Sequence, residues 1–210
     1  YKTVDKVVEA INKYGNFNLY EVLEPNTPLK MYYDIEFPHE TQEKTDNILI
    51  NLVKYTKKII TEIFGFSECF DDEDISCSGS IGKGKLRNEP VMKASYHFSF
   101  QCGSYFRKMN DLQIFMSYLQ TRMNQEKEEH PEFFYTIKGV EECVVDWTVY
   151  KKNQQIKLPL QSKLNSPRVQ GLLNDTDKLE NHFYGYYGDI EYPDYFDISK
   201  VPEIVEVVWK

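Results

Sequence analysis

At 210 residues the chain suits one large domain, and its 41% hydrophobic and 15% aromatic content argues against global disorder. A formal net charge of −8 argues against a general duplex binder, whose footprint is a basic domain. Salt confines electrostatic fields to about 8–10 Å, so local basic patches still count. Two such patches stand out: Lys83, Lys85, Arg87 and Lys93, and then Lys151, Lys152, Lys157, Lys163 and Arg168.

In chain order, Val4, Val7, Val8 and Ile11 recur at helical spacing and predict a helix over 3–14, stopped by Gly15. Residues 17–23 read as a strand, 25–28 as a Pro-Asn-Thr-Pro turn, and 29–37 as a second strand ended by Pro38. A long amphipathic helix is expected over 46–64, capped by Thr45 or Asp46 and followed by Gly65. The acidic run 71–74 leads to a short strand at 75–80, and the Gly- and Lys-rich 82–90 reads as a mobile loop. A strand at 91–101 and a helix at 111–123 follow, then strands at 133–138, 144–150 and 155–161. The last two are predicted to form a hairpin over Lys151-Lys152-Asn153. The Tyr-, Asp- and Pro-rich tail from Leu179 carries no assignment. Strands interrupted by two long helices indicate a mixed α/β (α+β) domain with a largely antiparallel sheet.

Cys69, Cys77, Cys102 and Cys143 are scattered without a CxxC pair. This predicts free thiols in a reducing, intracellular compartment rather than zinc or disulfides. No stretch is apolar enough to span a membrane, and no signal peptide is visible. The chain opens at Tyr1 without an initiator Met, which reads as an excised piece of a longer protein, with 1–210 as a single domain.

Strand side chains alternate faces with period two, so Asp34 and Glu36 point one way, as do Ser95 and His97. An acid-x-acid pair alone is a weak signal, and Tyr187-Gly188-Asp189-Ile190-Glu191-Tyr192-Pro193 nearly copies the stretch around Asp34. Context separates them. Asp34 and Glu36 interrupt a hydrophobic strand, where charge is costly unless paired or metal-bound, whereas the copy has a solvated-loop profile. The same cost applies to Asp146 between Val144, Val145, Trp147 and Val149. Three carboxylates and a histidine together are equipment for holding divalent metal and triphosphate, as a nucleotidyl transferase does. There is no nucleophile elbow, Walker loop or dinucleotide fingerprint.

In this order and spacing the residues resemble the archaeo-eukaryotic primase superfamily, primase-polymerase branch. Tyr20-Glu21-Val22 through Lys30-Met31-Tyr32-Tyr33-Asp34-Ile35-Glu36-Phe37 is similar to its first motif and approach, and Lys93-Ala94-Ser95-Tyr96-His97 to its SxH element. Val145-Asp146-Trp147-Thr148-Val149-Tyr150 followed by Asn153, Lys157, Leu158, Ser162 and Lys163 is similar to its third motif, so the resemblance spans about 20–163. The resemblance implies an RRM-like, mainly antiparallel sheet packed by helices. It implies a template-dependent DNA primase and polymerase that joins nucleoside triphosphates on single-stranded DNA. Asp34, Glu36 and Asp146 would be catalytic ligands of two Mg²⁺ or Mn²⁺ ions. Ser95 and His97 would hold the incoming triphosphate with Lys93 and Lys163, and Tyr20 would stand beside its sugar. Gln154 and Lys157, the latter also a nucleotide-binding candidate, stand where the family often has arginine, so a bidentate contact there becomes a weaker one. The family's zinc module is not within these residues, which counts against primer initiation by them alone and leaves extension open. Relatives in large DNA viruses often carry a fused helicase, which the resemblance makes a candidate partner. The alternatives are a non-catalytic single-strand-binding or replication-partner module of the same fold, and a two-metal nuclease.

Overall fold

The computed structural model describes residues 4–65, 75–164, 166, 168–174, 177–187 and 194–203. The acidic run 71–74 and most of the near copy at 187–193 lie outside these residues. Helix α1 (Val4–Tyr14) closes on Gly15, whose φ of +80° suits a helix stop. Its Val4, Val7, Val8 and Ile11 pack on Leu158, Leu160, Leu179 and Phe183, a small core of their own. Strand β1 (Tyr20–Leu23) starts later than predicted. Side-chain bonds hold the residues before it: Gln161 Oε1 accepts from the Phe17 N–H at 2.7 Å, and Asn16 Nδ2 donates to Ser162 Oγ at 2.8 Å.

Strand β2 (Tyr32–Pro38) alternates as expected, with Tyr33, Ile35 and Phe37 buried on one face and Asp34 and Glu36 partly open on the other. Helix α2 (Gln42–Phe64) begins four residues before the predicted start, because Thr41 is the cap and its Oγ1 accepts from Lys44 N–H. Thr45 is instead buried against the His39 ring, and Gly65 ends the helix at φ +78°.

The largest correction concerns 82–90, which is no loop. Strand β3 (Ile75–Leu86) continues through it and turns at Arg87-Asn88 into β4 (Glu89–Phe100). Both turn residues have positive φ, 45° and 65°, as a two-residue hairpin needs to match strand twist. The four-stranded antiparallel sheet is completed by β9 (Gly171–Leu172), in the order β2-β4-β3-β9. Tyr33, Ile35 and Phe37 join Tyr96, Phe98 and Phe100 against α2 and α3 (Met109–Gln125), forming the main core. The Tyr33 hydroxyl, deep in this layer, donates to Thr56 Oγ1 at 2.7 Å.

Strand β5 (Ser104–Tyr105) precedes α3; β6 (Phe134–Ile137) and β7 (Val140–Cys143) follow it as a hairpin over Lys138-Gly139. The predicted strand at 144–150 is replaced by one bridge, Ile35 with Val145, and a 3-10 turn at Trp147–Val149. The hairpin over Lys151-Lys152-Asn153 is therefore absent, and β8 (Gln154–Lys157) pairs antiparallel with β1 instead. In the tail, β10 (Asp194–Tyr195) pairs parallel with β5. The described chain is thus mixed α/β, with three α-helices and mainly antiparallel sheets. No helix among the described residues is long and apolar enough to cross a membrane.

Candidate active site

The face of the sheet turned away from the helices is polar. Register sets Asp34 opposite His97 and then Ser78, and Glu36 opposite Ser95 and then Ser80, in two rows across β2, β4 and β3. The two predicted motifs therefore share a face and are cross-strand partners. Asp146 arrives on the other edge of β2. Glu36 N–H donates to Val144 O and Asp146 N–H donates to Asp34 O, each at 2.8 Å. Beyond that bridge the Asp146 carboxylate accepts from Thr148 N–H at 2.9 Å and Thr148 Oγ1 at 2.7 Å, which curls the chain into the 3-10 turn.

Lys93 is buried one row along, its Nζ 2.5 Å from Glu36 Oε2. Lys157 lies opposite Tyr20 in the β1–β8 pair. Tyr20, Asp34, Glu36, Lys93, Ser95, His97, Asp146, Lys157 and Lys163 all line one cleft of about 400 Å³. Thr148, Val149, Gln154, Gln155 and Ile156 complete its wall.

Charge crowding governs the cleft. Burial, then the Glu36 and Asp146 carboxylates, push the Asp34 carboxyl up to about 7, against the pull of Lys163 and Lys93. Burial and the Lys157 and Lys163 charges push His97 down to about 3, although a backbone hydrogen bond to Lys157 opposes this. Burial, Lys163 and Arg168 lower Lys157 to about 8, while Asp34 and Glu36 oppose the shift. His97 is therefore neutral at pH 7.

The donor chemistry suits a hard divalent cation. The carboxylates supply oxygen alone, and Asp34 Oδ1 is buried with no hydrogen-bond donor among the described residues. Glu36 is engaged by Lys93, however, and no ready-made group of three or more His, Cys, Asp or Glu side chains for a metal stands among the described residues.

Three supports of the site escaped the sequence. Glu21, beside Tyr20, is buried and accepts from Tyr184 N–H at 2.9 Å, Gly185 N–H at 2.8 Å and the Tyr187 hydroxyl at 2.9 Å. Burial raises its carboxyl above the usual range despite the Tyr184 and Gly185 amides. The buried Gln170 side chain donates to Ser78 O at 3.0 Å and Ser95 O at 3.4 Å. Asp177 and His182 pair in the interior, Oδ2 to Nε2 at 2.9 Å, and Asp177 also accepts from Ser76 Oγ. Glu21 falls in the approach to the first motif without a role there, and the partners of Glu21 and Gln170 lie far along the chain, where no local period reports them.

A scan of protein-family models finds none that matches the chain, and a search of curated proteins finds no match.

Proposed function

We propose that the chain is the catalytic domain of a template-dependent DNA primase-polymerase of the archaeo-eukaryotic type, joining nucleoside triphosphates on single-stranded DNA. The observation that carries this reading is the facing of Asp34 with His97 and Glu36 with Ser95, with Asp146 held along the same strand. Within one cleft, an acidic wall adjoins Lys93, Lys157 and Lys163. A polyphosphate needs cations along its length, and its reacting end needs a dense negative site that can hold divalent metal.

Asp34, Glu36 and Asp146 would hold Mg²⁺ or Mn²⁺, which would acidify the attacking hydroxyl and neutralise charge on the departing pyrophosphate. The protein's own groups do the positioning. Neutral His97, its one N–H drawn to the Lys157 backbone, would flank the phosphates without a point charge, and Ser95 offers a hydroxyl donor beside it. Lys157, whose ammonium is lowered to about 8 by burial and by Lys163 and Arg168, would be held charged by a polyanion. Tyr20, opposite Lys157 on the cleft wall, would stand beside the sugar. Single-strand-binding without catalysis predicts nucleotide binding indifferent to metal.

The test is the double substitution D34A/E36A. Template- and metal-dependent primer extension should vanish while the far-ultraviolet circular dichroism stays native. A double variant that still extends a primer overturns the proposal. So does calorimetry that finds no metal-dependent binding of a nucleoside triphosphate to the unmodified protein.

A further inference from the structure

Ser162 and Val169 form an antiparallel bridge, reinforced by Leu160 N–H to Gln170 O at 2.6 Å and Gln170 N–H to Gln161 O at 3.0 Å. Lys163 and Arg168 leave this bridge on its two limbs. Lys163 lines the cleft already described. Arg168 lies over the polar face of the sheet, with its stem across β3.

Two glycines make room for it. A Cβ at Gly82 would stand 2.9 Å from Arg168 Cδ and 3.2 Å from Cγ; one at Gly84 would meet the Lys93 side chain first, at 3.2 Å from Cβ and 3.3 Å from Cδ, and then Arg168 Nη1 at 3.4 Å. Both glycines belong to the face that carries Ser78 and Ser80, and Gly82 is the register partner of Lys93. Glycine inside a strand weakens it, and here the two alternate positions form a track that a long side chain occupies. The Gly- and Lys-rich stretch, without meaning as a loop, acquires one. The guanidinium rests beside the Lys93 backbone, with Nη1 3.5 Å from Lys93 O. That is a weak contact for a group with five donors, and no carboxylate pairs with Arg168 among the described residues. Arg168 also acts on Lys157, adding to the positive field that lowers it to about 8. Lys93, Lys157 and Lys163 line the cleft, and Arg168, held beside the Lys93 backbone just outside that lining, adds its charge to theirs.

We infer that Arg168 is a further arm of the triphosphate site, closing its guanidinium fork on terminal phosphate oxygens from across the glycine track. This rests on the proposed nucleotide reading and deepens it. A planar fork takes two oxygens of one phosphate at once, which a lysine cannot do; set at the terminal phosphate, it would find no oxygens there in a monophosphate.

The experiment measures affinity for a nucleoside triphosphate, the matching monophosphate and inorganic tripolyphosphate by calorimetry, in the full chain with Mn²⁺. Arg168→Gln should weaken triphosphate and tripolyphosphate binding by roughly ten- to a hundredfold and leave monophosphate binding within about twofold. Arg168→Lys should recover part of the loss. Gly82→Val, which fills the track, should reproduce the Arg168→Gln pattern with Arg168 still present. Lys83→Gln, on the same strand but the opposite face, should change nothing. Triphosphate affinity unchanged in a folded Arg168→Gln protein overturns the inference and leaves the proposed function standing, as does equal loss for monophosphate. Failure of the unmodified protein to bind any triphosphate overturns both.

Discussion

Asp34 and His97 face each other across β2 and β4 with Oδ1 3.6 Å from Nε2, yet they are not an ion pair at neutral pH. Burial and the neighbouring lysines keep the imidazole neutral, down to about 3, and burial with Glu36 and Asp146 raises the carboxyl to about 7. The contact is one of mutual constraint in a crowded field rather than of attraction.

That arrangement fixes a pH dependence. Unfolded, Asp34 releases its proton near 3.8, and folded it keeps the proton to about 7. The native state then binds more protons between those limits, so its stability falls as pH rises through them. In chelated protein, Asp34→Asn should gain about 2–4 kcal/mol over the unmodified chain at pH 8 and show little difference below pH 4. Urea titration at the two pH values checks this, and equal stability at pH 8 would contradict it. Mn²⁺ at pH 8 should stabilise the unmodified protein more than the variant.

His97 has the opposite sign. Its folded value lies below the ordinary 6.5, so the unfolded chain binds more protons between about 3 and 6.5 and stability rises with pH there. Ring resonances of His97, followed by heteronuclear magnetic resonance, should not titrate between pH 5 and 8. A midpoint near 6.5 would show that the imidazole is not buried among cations as described.

Gly79 lies on the helix-facing side of β3, where an added Cβ would meet Tyr96 Cδ1 at 2.2 Å and Cε1 at 2.3 Å. Tyr96 is buried and packs beside Phe37, so its ring has little room to retreat. Gly79→Ala should cost about 1–3 kcal/mol by overpacking. Adding Tyr96→Leu should remove part of that cost, a non-additivity that denaturant melts of the single and double variants will show.

Glu21 supplies acceptors to two backbone amides and one hydroxyl of the 184–187 stretch. Glu21→Ala orphans those donors in a buried place and should cost about 2–4 kcal/mol, whereas Glu21→Gln keeps an acceptor oxygen and should cost less. Limited proteolysis should cut near 184–187 faster in the alanine variant. Identical digestion patterns would remove Glu21 from its role as the anchor of that stretch.

What could be read in advance follows from periodicity. The alternation at Tyr33, Ile35 and Phe37 announced both the buried face of β2 and the shared direction of Asp34 and Glu36. The apolar faces of α1, α2 and α3 gave their existence, and their ends moved by a few residues where a cap such as Thr41 won. What stayed hidden depends on distant partners. Gly82 and Gly84 look like loop residues until Arg168 lies across them, and Arg87-Asn88 turns a hairpin without glycine. The valines around Asp146 suggest a strand, but Thr148 turns the chain after one bridge. The pairing of β8 with β1 joins segments over a hundred residues apart, which no local pattern reports.

The amide of Asp146 gives its proton to the carbonyl of Asp34. The backbones that carry two of the three carboxylates are thereby spaced by peptide geometry, like uprights joined by a rung. Repacking the helices beneath β2 should move the two backbones as a unit, whereas a proline at 146, with no N–H to donate, should part them.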